Sequence, residues 1–242
     1  MIRQKLKSLV HAAGFDVRRR SDAYLAQTDP LHALDKLLRG QPKPLLFDVG
    51  ANRGQTVGKL LSRFPGATIH AFEPGDEAFA DLTRAYGADS RVVRHHFAVG
   101  SKSGTTTFYA MKDDRTSSLA RPGEAAQDFS VEVKGAVQVP IRTLDDVIEE
   151  MGSPHVDLLK MDIQGAEVAA LTGAAKTLGR RGISTVYAEV MFTKVYEEQA
   201  TFGALADLLG RYGFELVGLY GLAYARDRLH WADALFALPN RA

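Results

Sequence analysis

The stretch Leu45-Leu46-Phe47-Asp48-Val49-Gly50-Ala51-Asn52-Arg53-Gly54 constrains the fold more than any other part of the chain. A short apolar run that ends in glycines and leads into a helical pattern over Thr56–Phe64 predicts a buried parallel strand turning sharply into a helix. The unit then repeats. Thr68–Phe72 reads as a second strand, Asp76–Tyr86 as a helix and Val92–Val99 as a third strand. The alternation lapses between residues 100 and 155, where two strands (Thr105–Tyr109 and Val131–Ile141) flank a polar loop, and Thr143 caps a short helix over Leu144–Met151. It resumes with a strand at Val156–Met161, a helix marked by Val168, Leu171, Ala175 and Leu178, a strand at Thr185–Val190 and a helix at Phe202–Tyr212. Strands at Phe214–Leu219 and Ala234–Leu238 close the chain. Alternation of this kind predicts an α/β domain: a Rossmann-like, mostly parallel, seven-stranded sheet with helices on both faces.

The sheet starts at residue 45, so residues 45–242 are expected to form one domain and residues 1–44 a helical N-terminal extension. A helical stretch over residues 22–40, with Leu31, Leu34, Leu37 and Leu38 at helical spacing, precedes the Gln41-Pro42-Lys43-Pro44 break. The formal net charge of +1 hides an asymmetry. Residues 1–20 carry six basic side chains against Asp16 alone, and the rest of the chain is slightly acidic. A basic excess confined to one end speaks against a nucleic-acid partner. Ile2, Leu6, Leu9 and Val10 share a helical face among those basic residues, which suits peripheral contact with a membrane surface or packing on the main domain. The segment is too short and broken to be a signal peptide, and no run approaches the length of a membrane span. The protein is therefore expected in the cytoplasm, in peripheral contact with a membrane through its basic N-terminus, and as a homodimer. The absence of cysteine excludes a disulfide framework, a zinc-thiolate site, an iron–sulfur centre and a thiol nucleophile.

Ligands of open α/β sheets sit beyond the carboxyl ends of the strands, where the strand order reverses. Asp48 to Gly54 occupies that place after the first strand. Twenty-five residues past Asp48, the second strand ends in Glu73-Pro74, where an acid can accept hydrogen bonds from both hydroxyls of a ribose. Nicotinamide dinucleotides and S-adenosylmethionine both fit. The loop departs from the G-x-G-x-x-G fingerprint and lacks the lysine and Ser/Thr of a P-loop. A carboxylate such as Asp48 is unfavourable beside a pyrophosphate and favourable near a sulfonium and an amino group, so the charge selects S-adenosylmethionine.

Five motifs in order, Asp48-Val-Gly-Ala-Asn-Arg-Gly54, Ala71-Phe-Glu-Pro74, Ser117-Ser-Leu119, Thr143-Leu-Asp-Asp146 and Leu159-Lys-Met-Asp-Ile-Gln-Gly-Ala-Glu167, resemble the FkbM family of S-adenosylmethionine-dependent methyltransferases. The resemblance covers about residues 45–238. Its C-terminal part, with Tyr187-Ala-Glu189, Tyr196-Glu197 and Trp231-Ala-Asp233-Ala-Leu-Phe236, is similar to the branch that accompanies glycan and glycolipid assembly. It implies a class I methyltransferase fold and O-methylation of a hydroxyl. It further implies that Asp48, Gly50, Asn52 and Gly54 line the methionine part of the cofactor, that Glu73 with Pro74 meets the ribose and the backbone at Ala98 the adenine, and that Asp162 borders the methyl group. Gln164 departs from the pattern, standing where the family commonly has a glutamate.

Methyl transfer is an in-line displacement, so the enzyme must align an acceptor oxygen behind an already activated carbon. A base or a metal ion helps a hydroxyl lose its proton. Asp162 and Glu189 end strands expected to be neighbours and are candidates for base, acceptor orientation or oxygen ligation of Mg²⁺. His230, followed by Trp231, is a further candidate base and sugar platform, whereas His95 and His96 read as structural or surface residues and Glu167 as an electrostatic partner of a helix N-terminus. The loop from Asp113 to Ser118 is a candidate lid. The expected function is an O-methyltransferase of a saccharide or glycolipid. Methylation of a polyketide or other secondary metabolite, and cofactor binding without turnover, are the alternatives.

Overall fold

In the computed structural model, residues 10–15, 19–129, 131–225 and 227–239 are described. Most of the basic N-terminal segment, including Ile2, Leu6 and Leu9, lies outside them. A helix α1 (Asp22–Thr28) and a helix α2 (Pro30–Leu37) come first. The expected single helix over 22–40 is divided at Asp29-Pro30. Asp29 turns out of helical geometry, its carboxylate accepts from the backbone N–H groups of Leu31 and His32, and Pro30 occupies the first turn, where its missing N–H costs nothing.

Strands β1 (Leu45–Val49), β2 (Thr68–Phe72) and β3 (Val92–His95) alternate with helices α3 (Gln55–Arg63) and α4 (Asp76–Tyr86). The expected third strand ends early. Its last residues form β4 (Ala98–Val99), which leaves the main sheet and pairs with β6 (Val133–Arg142), itself antiparallel to β5 (Gly104–Met111). The chain returns through α5 (Leu144–Glu150), with the Thr143 hydroxyl accepting from Asp146 N–H, to β7 (Leu158–Met161), α6 (Glu167–Thr172), α7 (Ala175–Gly179), β8 (Thr185–Met191) and α8 (Phe202–Arg211). A hairpin of β9 (Glu215–Ala225) and β10 (Arg228–Ala237) finishes it.

The main sheet has seven strands in the order β3-β2-β1-β7-β8-β10-β9, with β10 antiparallel to both neighbours. This is the class I methyltransferase fold. Side chains alternate across it. Leu46, Ile69, Ala71, Leu158 and Leu235 pack against α2, α3 and α4, while Phe47, Val49, Leu159, Met161, Val186 and Phe236 pack against α5 to α8. Leu34 and Ala33 of α2 are buried in the first of these layers, and the Tyr220 hydroxyl of β9 donates to the Ala26 carbonyl of α1. Helix α2 thus packs into the core beside the sheet. Strand order reverses between β1 and β7: the chain leaves β1 towards β2 and leaves β7 towards β8, and the space above their carboxyl ends is open to a ligand.

Leu34→Ala removes a fully buried side chain that bridges the extension and the sheet, and should lower stability by about 2–5 kcal/mol. Urea unfolding measures this; a loss below about 1 kcal/mol, typical of a surface change, would detach the extension from the core.

Candidate active site

The turn after β1 is folded by backbone requirements. Gly50 (φ +77) and Gly54 (φ +90) lie in left-handed geometry. A Cβ on Gly50 would stand 2.0 Å from the main-chain oxygen of Asp162, and one on Gly54 would stand 2.4 Å from the Tyr86 ring. Glycine at 50 lets the turns after β1 and β7 touch; glycine at 54 lets α4 pack. The N–H groups of Gly50 and Ala51 both donate to the Phe72 carbonyl, tying this turn to the end of β2.

Glu73 follows directly. It is 5% exposed, and its two oxygens accept from Asn52 N–H at 2.9 Å and Gly75 N–H at 2.8 Å. Burial pushes its carboxyl up to about 7 despite those two bonds. Each oxygen keeps a lone pair for a further donor. Beneath the turn, Asp48 is wholly buried and forms an ion pair with Lys160 of β7, Oδ1 to Nζ 2.9 Å; among the described residues no other donor reaches its oxygens. Burial opposes the charge on Lys160, but the carboxylates of Asp48 and Asp162 outweigh it and hold the ammonium above its ordinary value. Lys160 also donates to the Gly50 carbonyl at 3.3 Å and stands 3.9 Å from Asp162 Oδ2.

These groups surround a cavity of about 220 Å³. Gly50, Asn52, Glu73, Pro74, Ala98, Lys160 and Asp162 line it, and Phe97, Val99 and Phe108 give it an apolar side. Asp114, Arg115, Ser117, Ser118 and Leu119 of the loop after β5 complete the wall, so the expected lid segment borders the cavity. Asp48 and Gly54, expected to line the site, are not among the residues that do: Asp48 lies buried on Lys160 and Gly54 packs against Tyr86. An apolar side, a buried carboxylate with lone pairs to spare and an acid–lysine pair below it are compatible with S-adenosylmethionine.

Asp162 and Glu189 are brought together, but through an intermediary. The Gln164 amide nitrogen donates to Asp162 Oδ1 at 2.8 Å and to Glu189 Oε2 at 2.5 Å. Burial first, then the carboxyl groups of Asp162, Glu167 and Asp233, push Glu189 up to about 9, so it keeps its proton at neutral pH. An amide nitrogen wedged between the two carboxyl groups does not suit Mg²⁺, and among the described residues no three acidic, histidine or cysteine side chains gather as ligands. The expected metal role of Asp162 and Glu189 has no support here. His230 stands away from the cavity wall with both ring nitrogens engaged: Nε2 donates to the Ala225 carbonyl at 2.9 Å, which leaves Nδ1 to accept from the Thr193 hydroxyl at 2.7 Å. His95 is joined to His70 at 2.9 Å and stacks on Phe72, and burial brings both imidazoles down to about 4. Glu167 is buried, and one oxygen accepts from Ile163 and Gly165 N–H groups of the turn after β7. Lys160 and Tyr196 were not singled out as site residues by the sequence. A lysine inside the otherwise apolar Leu158–Met161 was the available signal for the first.

The fold, with an acid directly after β2 and a carboxylate directly after β7 on one cavity, is that of the S-adenosylmethionine-dependent methyltransferases. The family model described as Methyltransferase FkbM domain matches residues 48–216. The chain belongs to this family. Among curated proteins, it is 30% identical over 188 residues to the 2-O-methyltransferase NoeI of Sinorhizobium fredii, covering 74% of this chain and 76% of the relative. It is 29% identical over 218 residues to the 31-O-demethyl-FK506 methyltransferase FkbM of Streptomyces tacrolimicus, covering 80% and 81%. The hexuronic acid methyltransferase AglP of Haloferax volcanii is 26% identical over 135 residues, covering 55% and 51%.

Glu167 carries a pH prediction. Burial pushes its carboxyl up to about 7 from an ordinary 4.5, so its contribution to stability is whole below about pH 4.5 and declines as pH rises through 7, by up to about 3 kcal/mol. In Glu167→Gln the amide oxygen keeps both backbone bonds. The variant should match the parent at pH 4.5 and exceed it at pH 8 in urea unfolding; equal stability at pH 8 contradicts the assignment.

Proposed function

We propose that the protein transfers the methyl group of S-adenosylmethionine to a hydroxyl oxygen of a saccharide. The carrying observation is the Asp162 side chain, 42% exposed at the end of β7 on the cavity wall. Bound there, S-adenosylmethionine supplies an activated methyl carbon. Glu73 accepts the ribose hydroxyls with the lone pairs left free by Asn52 and Gly75. The apolar slot of Phe97, Val99 and Phe108 takes the adenine beside the Ala98 backbone. The Asp48–Lys160 pair fixes the two turns between which the methionine part lies.

Asp162 orients the acceptor hydroxyl and takes its proton as the new O–C bond forms and the C–S bond breaks. The products are the methyl ether and S-adenosylhomocysteine, and the proton leaves from Asp162 to water. Positioning and base catalysis are both served by one carboxylate within hydrogen-bond reach of the acceptor. Glu189, protonated, and His230, saturated with hydrogen bonds, are poor bases as they stand, and the proposal does not use them for proton removal. The names of NoeI and FkbM support oxygen as the atom methylated. That of AglP supports a sugar acid, as does the polar wall of Asp114, Arg115, Ser117 and Ser118, which suits a polyhydroxylated acceptor. The FkbM relative favours a second reading, a secondary-metabolite hydroxyl.

Two measurements test this. Glu73→Ala should weaken S-adenosylmethionine binding about 100-fold by calorimetry, the loss of two charge-assisted hydrogen bonds; unchanged affinity removes Glu73 from the pocket. Mass spectrometry after incubation with methyl-labelled cofactor should show one added methyl group on a hexose or uronic-acid acceptor and not on macrolide alcohols. Asp162→Asn should lower that turnover by about 10²–10⁴-fold while binding the cofactor as before. Transfer to macrolide alcohols alone selects the second reading, and full activity of Asp162→Asn dismisses Asp162 as base.

A further inference from the structure

The reading above uses Asp162 but leaves unexplained what aims it. Gln164, two residues on, has left-handed backbone (φ +54), is followed by Gly165 in the same region (φ +97), and is 8% exposed. A residue with a side chain stays there only when its surroundings over-determine it. Here the amide nitrogen of Gln164 is held by Asp162 and Glu189 together. Its Oε1 lies 3.2 Å from the Tyr196 hydroxyl, whose single hydrogen points to the nearer Thr116 carbonyl at 2.7 Å. The main-chain oxygen of Gln164 accepts from the Ser118 hydroxyl at 2.8 Å. Thr116 and Ser118 belong to the loop that walls the cavity, so one residue joins that loop to the carboxyl group at its centre.

The residue type matters. A primary amide carries two N–H donors on one nitrogen and can serve two carboxyl groups together; a carboxylic acid of the same size carries one O–H, and a carboxylate none. A glutamate in this place can donate only while protonated, and then to just one of the two, and once ionised it repels the Asp162 carboxylate.

We propose that Gln164 is a positioning residue for methyl transfer: its amide clamps Oδ1 of Asp162 against Glu189 and leaves Oδ2, on the Lys160 side, facing the acceptor. The inference rests on Asp162 being the group that meets the acceptor, and it adds the residue that fixes its direction. Gln164 itself touches neither cofactor nor acceptor.

Crystal structures of the parent and of Gln164→Leu, both with S-adenosylhomocysteine, read the positioning without any acceptor. The parent should hold Asp162 Oδ1 about 3 Å from the amide nitrogen, and the leucine variant should show Asp162 turned to another rotamer. An Asp162 side chain unmoved in the variant overturns the proposal. Kinetics with the acceptor found by mass spectrometry supply the second readout. Gln164→Leu should lower kcat at least about tenfold while the cofactor Kd stays within about twofold. Gln164→Glu should recover much of kcat near pH 6, where the new carboxyl keeps its proton, and lose it by pH 8, a slope the parent lacks. Unchanged kcat in both variants, or loss of cofactor affinity in step with kcat, also overturns it. Failure of every acceptor with the parent enzyme counts against the methyltransferase reading alone, because the two crystal structures decide the clamp by themselves.

Discussion

The ion pair between Asp48 and Lys160 joins the two central strands where the chain's path divides. β1 and β7 are neighbours in space but separated by more than a hundred residues, and the pair is buried apart from the edge of Lys160 that meets the cavity. Burying both charges costs several kcal/mol per ion, and the attraction offsets that cost only when the geometry is kept. Breaking one partner leaves an isolated charge inside the sheet. The pair therefore contributes less to net stability than to registration: it holds the turns after β1 and β7 at the separation at which Gly50 touches the Asp162 main chain. Glu73, bound by the first turn, and Asp162, carried by the second, inherit their relative position from it.

Most of the sheet was legible because parallel strands buried on both faces leave an unambiguous trace. Leu45–Val49 and Thr68–Phe72 have the bounds that their apolar runs indicate. Asp76–Tyr86 is bounded by an acidic first turn and a glycine, and it too has the expected limits. The misreadings have local physical causes. The helix expected over 22–40 is two helices because an aspartate cap and a proline outrank leucine periodicity. The strand expected over 92–99 is shared between two sheets, which hydropathy cannot reveal since both halves are apolar. β9 and β10 run well beyond the apolar segments at 214–219 and 234–238, because Gly218, Gly221 and several bulges break their alternation.

The site was legible where chemistry needs a particular residue at a strand end. Glu73 and Asp162 line the cavity, as do Gly50, Asn52, Pro74 and Ala98. What the sequence could not convey was how a side chain is shared. Asp162 and Glu189 looked like a pair free to bind a cation, and the amide of Gln164 between them changes what the pair can do. His230 looked like a base, and the Thr193 hydroxyl just after β8 and the Ala225 carbonyl at the end of β9 occupy it. Such outcomes each include one partner 25 to 40 residues away, Glu189 for Gln164 and Thr193 for His230, beyond the reach of spacing arguments.

The departure of β4 from the main sheet has a consequence for how such an enzyme diversifies. The cavity floor is built by strand ends at residues 49–51, 72–74 and 160–163, whereas the opposing wall comes from residues 97–119, supported by the small sheet of β4, β5 and β6. Met111, Ala120, Ala126, Val131, Val195 and Tyr196 form a separate apolar cluster under that wall. Substitutions there reshape the space offered to an incoming molecule without disturbing the layers that bury β1 and β7. The buried layers of the sheet and the cavity wall thus rest on different apolar clusters of one scaffold, and one can drift while the other is preserved.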